Sequence, residues 1–480
     1  MILRRTILLL FTAALLTPLA GQDDSIEILN QTFLGNWERN YYGDDAPSNL
    51  DVVWKHYLGE GITVISRNLG SRDWKGAGWT GQPLMVREGN DTFLIQGAYD
   101  HNLKKINASD GRLVWQYKFD DVIKGTGTLW YNETETDPEQ RWIILQGSRL
   151  GAQKDHFLDA PKIYSYRAIS YMTGKELWRH NSKLTKSYSR DVDASALIWN
   201  DTAYIGLENS FFTVFNPDPD SAYTNNEYRY PLIYQQKILY TQEDVISHRN
   251  NVVTEASPCK IGRMIYVSSG AGHVWGYDMD RKELNWDFFV GSDMDGSPVV
   301  TSDSCLLVSV EKQYIEGEGG ILKLDPSKKP EDAVVWYFPV PDKEFASWMG
   351  GIIGTASITD SYNDLNLAAF MSIDGKLNVI RHDSFSDSTG LGPDGKTSYP
   401  TPEHLFSYDI GPSISTPLFT KDRLVACGYH GIFLFGYDEE GNFELLDKKP
   451  FVIESTPFIS NKRIYIASKN GYLYCLGTKD

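Results

Sequence analysis

The chain reads as an all-β protein: a single eight-bladed β-propeller of four-stranded antiparallel blades, closed by an N-terminal strand. Three observations carry that expectation. A short tag recurs eight times, strand-length runs separated by turns follow each tag, and the last repeat stops one strand early. Self-similarity at a period of roughly 40 to 70 residues decides the architecture before any local feature does, because such a unit buries its faces only against its neighbours. A closed ring also absorbs a length of 480 residues that would otherwise suggest two or three domains.

The tags are built on Gly, Ala, Ser or Thr and are usually closed by Pro. They read Gly81-Gln82-Pro83, Gly127-Thr128-Leu129, Ala194-Ser195-Ala196, Ala256-Ser257-Pro258, Gly296-Ser297-Pro298, Ala356-Ser357-Ile358, Ser415-Thr416-Pro417 and Ser455-Thr456-Pro457. After the last tag come Phe458-Ile459, a polar turn, the alternating run 463–467, the turn Lys469-Asn470-Gly471 and the run 472–476. Period-two alternation around Asn-Gly is a hairpin signature. The repeat opening at Gly296 has a fourth run, 333–338, which completes one blade.

The fourth strand often carries a Trp after a turn rich in Asp, Gly and Lys, as in Asp110-Gly111-Arg112-Leu113-Val114-Trp115 and Thr173-Gly174-Lys175-Glu176-Leu177-Trp178. Trp286 and Trp336 hold the same place. A large ring at one fixed position in each repeat is expected to wedge between blades rather than stack on a ligand. The eighth repeat ends after its third strand, and 50–58, with Val52-Val53-Trp54, matches the missing fourth. Pairing the two removes two exposed sheet edges.

The sequence Met172-Thr173-Gly174-Lys175-Glu176-Leu177-Trp178, with the Ser-Pro tags, resembles the pyrroloquinoline-quinone-like (PQQ-like) propeller repeat over 54–476. The resemblance implies the fold; for function it spans quinoprotein dehydrogenases, outer-membrane assembly scaffolds and secreted proteins of no known activity. The third and sixth repeats depart from it, with no clear Trp and with long inserts. The adjacent-cysteine pair of the alcohol-oxidising enzymes is absent, and Trp79 and Trp348 are only nominal candidates for a quinone floor, which argues against PQQ as cofactor.

The N-terminus has the order of an export signal: Arg4-Arg5, an apolar run from Ile7 to Leu16, then Pro18-Leu19-Ala20-Gly21. The expected division is a signal peptide over 1–21, an arm over 22–49 lying outside the ring, and the propeller over 50–480. The apolar run is too short to span a bilayer and no later one is better, so a secreted or periplasmic location is expected. Removing Arg4 and Arg5 moves the formal net charge from −17 to −19. That balance argues against nucleic acid and anionic membranes, and leaves solubility, cation binding, or a protein or neutral-glycan partner, with a monomer expected.

The four cysteines include no Cys-x-x-Cys, which removes zinc ribbons and thioredoxin-like chemistry. Cys259 and Cys305 fall in adjacent blades where a disulfide is open to them. Cys427 and Cys475 read as buried thiols.

The first strand of each propeller blade lines the channel, so the residue before each tag should contribute to one ring. That ring reads Thr80, Thr126, Asp193, Glu255, Asp295, Thr355, Ile414 and Glu454. It is lopsided: blades three and five carry Asp191-Val192-Asp193 and Asp293-Met294-Asp295, and residues two apart on a strand face one side. Asp191, Asp193, Glu255, Asp293 and Asp295 would then converge over three blades. Crowded carboxylates recruit a cation, protonate or stay hydrated. Hard oxygens suit Ca²⁺, which takes six to eight of them at about 2.3–2.6 Å. Lys124 and the stretch 247–250 are placed either to oppose the acids or to contact an anionic group on a ligand. His101 reads as a hairpin-turn residue. The main expectation is thus a binding or scaffold propeller with an acidic, Ca²⁺-competent channel mouth; the alternative is a PQQ- or metal-dependent enzyme, quinoprotein-like or polysaccharide-active. Of the inserts, 384–403 reads as a flexible surface excursion and 216–240, rich in Tyr, as the rim of a binding surface.

Overall fold

The computed structural model describes residues 26–66, 69–150 and 159–479; the signal segment 1–21 lies outside them. Eight antiparallel blades form the propeller. From inner to outer strand they run Leu84–Glu88 to Leu113–Lys118, Thr128–Tyr131 to Glu176–His180, Leu197–Trp199 to Leu232–Ile238, Cys259–Ile261 to Glu283–Phe289, Val299–Val300 to Val334–Pro339, Ser357–Ile358 to Ser398–Asp409, Leu418–Phe419 to Phe443–Lys449, and Phe458–Ser460 to Val52–Tyr57. The last pairing is the expected closure: Tyr57 lies opposite Tyr472 and Val52 opposite Leu476.

Stacking explains the hydrophobic pattern. A blade's middle strands are covered on both faces, so Trp142–Gly147 and Leu306–Val310 are buried at every position. The outer strand Leu113–Lys118 alternates between exposed and half-buried. The core lies between blades, as where Leu307, Ile321 and Trp336 of blade five meet Ile358, Ala368 and Phe370 of blade six. Each fully buried side chain of this kind contributes about 1.5–3 kcal/mol.

The Trp wedges share one geometry. Each indole N–H donates to a carbonyl of the next blade: Trp54 to Ala108, Trp115 to Tyr171, Trp178 to Pro217, Trp286 to Lys328 and Trp336 to His382, at 2.9–3.1 Å. Gly111 is required by that packing, since a Cβ there would lie 2.6 Å from the Trp54 ring.

The tags form a hydrogen-bonded belt. Inner-strand N–H groups have no further strand to pair with and need other acceptors. Gln82 N donates to Thr126 Oγ1, Ser195 N to Ser257 Oγ, Ser257 N to Ser297 Oγ, Ser297 N to Thr355 Oγ1 and Thr355 N to Thr416 Oγ1, at 2.9–3.2 Å. Each bond joins one blade to the next. Small residues are needed because the blades converge: a Cβ on Gly125 would stand 2.0 Å from the Asp193 carbonyl oxygen.

Three expectations are corrected. The described part of the arm does not lie outside the ring. Ile26–Asn30 adds a strand to the inner edge of blade one, and the following residues cross between blades: Gln31 O accepts from Leu129 N, Trp37 O from Lys260 N, Glu38 O from Val300 N, and Ile459 O from Asp44 N. The arm thereby satisfies inner-strand amides of blades two, four and five that no neighbouring strand reaches. Residues 384–403 are an ordered hairpin, paired as far as Leu391 opposite Ser398 and turned by Asp394, which accepts from the amides of Lys396 and Thr397.

The third correction concerns cysteine. All four thiols are free and buried; Cys259 packs in the core between blades four and five, while Cys305 sits in a turn with its sulfur directed at the Asp303 carbonyl. Burial pushes the thiols of Cys259, Cys305 and Cys475 up to about 12. At neutral pH a water-soluble disulfide reagent such as dithionitrobenzoate is therefore expected to titrate none of the four in the native protein and all of them after denaturation.

Candidate functional site

The belt sets the register of the channel. Two places before the belt residue in blades two and four to seven stand Lys124, Glu255, Asp295, Ile353 and Ile414, and these line one cavity of about 460 Å³ together with Glu454 of blade eight. Thr126 and Thr355, expected in this ring, are instead belt residues whose hydroxyls accept from the preceding blade. The sequences Gly125-Thr126-Gly127-Thr128 and Gly354-Thr355-Ala356-Ser357 each offer two overlapping small-hydroxyl pairs. A two-residue shift keeps every strand side chain on its face, so only the bonds to the neighbouring blade separate them. Thr80 is buried and its carbonyl accepts from the Thr126 hydroxyl.

One side of the cavity is acidic. Asp193, Glu208 and Glu255 form one group and Asp293, Asp295 and Glu311 a second, with ligand oxygens in each group within 4.8 Å of one another. Alternation places the second group: Met294 is fully buried in the core between blades four and five, which turns Asp293 and Asp295 the other way. Asp191, expected with these acids, borders the first group with its carboxylate 3.9 Å from Lys124 Nζ, and it accepts from Arg149 Nε at 2.9 Å and Leu150 N at 3.0 Å.

The two groups differ in counter-charge. Lys124 Nζ lies 2.5 Å from Asp193 and 3.9 Å from Glu208, so the first group carries its own cation. Burial alone would lower the Lys124 pKa, but Asp193, Glu208 and Glu255 hold it well above the ordinary lysine value. The second group has no such lysine or arginine among the described residues. Asn251 Nδ2 donates to Asp293 at 2.6 Å, and the other Asp293 oxygen is buried without a hydrogen-bond partner.

Burial therefore raises the carboxyl groups, and their mutual repulsion adds to it. Glu255 is pushed up to about 7 and Asp293 to about 6. Asp295 and Glu311 are driven well above the carboxylate range, Asp295 by burial and then by Glu255 and Asp293. Glu454, across the cavity, is instead paired with Lys469 Nζ at 2.7 Å and accepts from the Tyr429 hydroxyl.

The opposite side is apolar and aromatic. Trp79 packs with Ile353, Ile373 and Ile414, and Trp348 lies against that cluster. Trp74 reaches the cavity from the hairpin of Glu60–Ser66 and Gly70–Lys75, its ring 5.0 Å from Tyr99. Of 247–250, His248 stacks on Tyr314 and Asn250 donates to the Lys186 carbonyl; the residue that reaches the acids is Asn251. His101 sits in its turn with φ of 70°.

Glu208 and Glu311 were not singled out in the sequence. Both follow the second strand of their blades, Thr202–Gly206 and Leu306–Val310. An acid at the end of a run that is otherwise buried is the signal that marks them.

No protein-family model matches the chain, and no curated protein sequence does. Solved structures do resemble it. BamB from Moraxella catarrhalis is 14% identical with a TM-score of 0.52, covering 89% of this chain and 100% of that one. The quinohemoprotein alcohol dehydrogenase from Comamonas testosteroni is 11% identical with a TM-score of 0.57, covering 94% of this chain and 81% of the enzyme. A computationally designed protein, Ika8, is 10% identical with a TM-score of 0.51, covering 84% and 100%. At these identities the likeness is one of fold. The chain is an eight-bladed β-propeller, similar in fold to BamB and to the quinohemoprotein alcohol dehydrogenase.

Proposed function

We propose that the protein is an exported binding propeller whose channel mouth holds a Ca²⁺ ion through Asp293, Asp295 and Glu311. The observation that carries this reading is the second acidic group: three carboxylates within 4.8 Å, with no lysine among them and one buried oxygen of Asp293 unpartnered. A divalent ion neutralises that repulsion with the hard oxygen donors it prefers. The Asn251 side chain and the Gln313 amide beside it are further oxygen donors in reach of the same place. The first group, already neutralised in part by Lys124, is a weaker competitor for the ion.

The same donor set fits the free quinone poorly. Pyrroloquinoline quinone is a tricarboxylate, and among the described residues Glu255, Asp293, Asp295, Glu311 and Glu454 line the cavity against only Lys124 and Lys469. Charge opposes that fit, although Trp79 and Trp348 offer rings, so a binding role is preferred over a quinoprotein one. Among the described residues no helix is long and apolar enough to cross a membrane, and the reading places the protein outside the cytoplasm with a protein or glycan partner.

Isothermal titration of the chelator-treated protein with CaCl₂ tests the site. One ion per chain is expected, with binding at least tenfold weaker in Asp295→Asn and unchanged in Asp191→Asn. Equal affinity in Asp295→Asn and the parent would move the ion elsewhere.

A further inference from the structure

A second cavity, of about 570 Å³, shares no lining residue with the acidic one and lies between the outer strand of blade two and the insert of blade three. Its walls are built from the Tyr-rich segment. Tyr223–Asn225 and Tyr228–Tyr230 pair as a short hairpin, and Tyr164 Oη lies 3.0 Å from Tyr230 Oη. Arg179 stacks on Tyr228 at 4.0 Å and Tyr164 at 5.0 Å, held in place by Glu176 at 2.5 Å. The hairpin is thus fixed before any ligand arrives, which lowers the ordering cost of binding.

The composition of the cleft is unlike that of the chain. Tyr223 and Tyr234 are 56% and 54% exposed, and ring faces of that kind suit the C–H face of a sugar. Asn181, Asn225 and Gln236 supply planar amides, and Lys162 and Lys183 supply charge, Lys183 Nζ donating to Gln236 Oε1 at 3.1 Å; the Gln235 amide is turned away, donating to Lys282 O and accepting from the Tyr277 hydroxyl. In a protein with 63 acidic residues, none of the described residues lining this cleft is Asp or Glu. Stacking surfaces, amides and two lysines without a carboxylate make a local site for a sugar that is itself acidic, against the sign of the whole molecule.

We propose that this cleft binds an oligosaccharide carrying carboxylate groups, with Tyr234 stacking on a pyranose ring and Lys162 and Lys183 facing its carboxylates. The probes are hexamers of galacturonate and of mannuronate, with cellohexaose as the neutral comparison, titrated calorimetrically into the full chain. At least one uronate hexamer is expected to bind, at least tenfold more tightly than cellohexaose, and to weaken about tenfold in Tyr234→Ala and again in Lys162→Gln. Added salt should weaken it further. Asp295→Asn, which alters the other cavity, should leave it unchanged. Failure of both uronates to bind, cellohexaose binding as tightly as they do, or affinity unmoved by Tyr234→Ala in a variant of unchanged melting temperature would each overturn the proposal.

Discussion

In the presence of a chelator, the protein is expected to lose stability as the pH rises from 4.5 to about 7, and saturating Ca²⁺ to restore it. The cause is the carboxyl group of Glu255, whose ordinary value of 4.5 is pushed up to about 7 by burial, joined by Asp293, moved from 3.8 to about 6. Between the two values the folded protein holds a proton that the unfolded chain has released. Stability from that proton is complete below the unfolded value and is lost as pH rises through the folded one. For Glu255, which is only partly open to the cavity, the loss is on the order of 3 kcal/mol. Calcium acts in the opposite sense, since it binds the deprotonated folded state and contributes about 2.7 kcal/mol at a free concentration a hundredfold above its Kd. Melting curves across the pH range, with chelator and with CaCl₂, read both effects. In Glu255→Gln the chelator curve should flatten, since the group that holds the largest part of the proton is gone, and in Asp295→Asn the Ca²⁺ response should vanish. A flat profile in the parent, or a Ca²⁺ shift retained in Asp295→Asn, would remove the site as proposed.

Arg39→Ala is expected to destabilise the protein by on the order of 4 kcal/mol, the largest effect of any single change in the arm. Arg39 is fully buried, and its guanidinium donates to Pro258 O through Nε at 3.0 Å and Nη2 at 2.8 Å, to Phe33 O at 2.7 Å and to Thr32 Oγ1 at 2.9 Å. Burial lowers its pKa to about 10. Truncation leaves those acceptors unpaired around a void and unlocks the arm from blade four. Arg87→Ala is the comparison: its ion pair with Glu27 holds the same arm on the surface, and it should change stability by no more than about 0.5 kcal/mol. Urea unfolding measures both. Equal effects would mean that the arm contributes nothing through its buried crossing.

The strand content and closure were legible because they rest on local patterns. Period-two alternation, Asn-Gly turns and a Trp at one place in the repeat are written within short stretches, and the blades follow them. The acids of Asp191-Val192-Asp193 and Asp293-Met294-Asp295 were legible for the same reason, and so was Lys124 as their counter-charge. What they were for was not. Asp191 turned to Arg149, a residue 42 positions away, and Glu208 and Glu311 entered the groups from the ends of second strands. The arm misled because an extended segment without periodicity carries no sign of what it covers.

The sequence by itself determined the number of blades, the strand that closes them and the blades on which acid accumulates, because each of these is repeated or local. The tertiary structure alone decided which of two overlapping hydroxyls forms the belt in blades two and six, where the arm runs, and which carboxylates share a site. Each of those depends on a hydrogen bond or a repulsion between blades, across tens of residues, and a period-two strand looks the same from either register until its neighbour is in place.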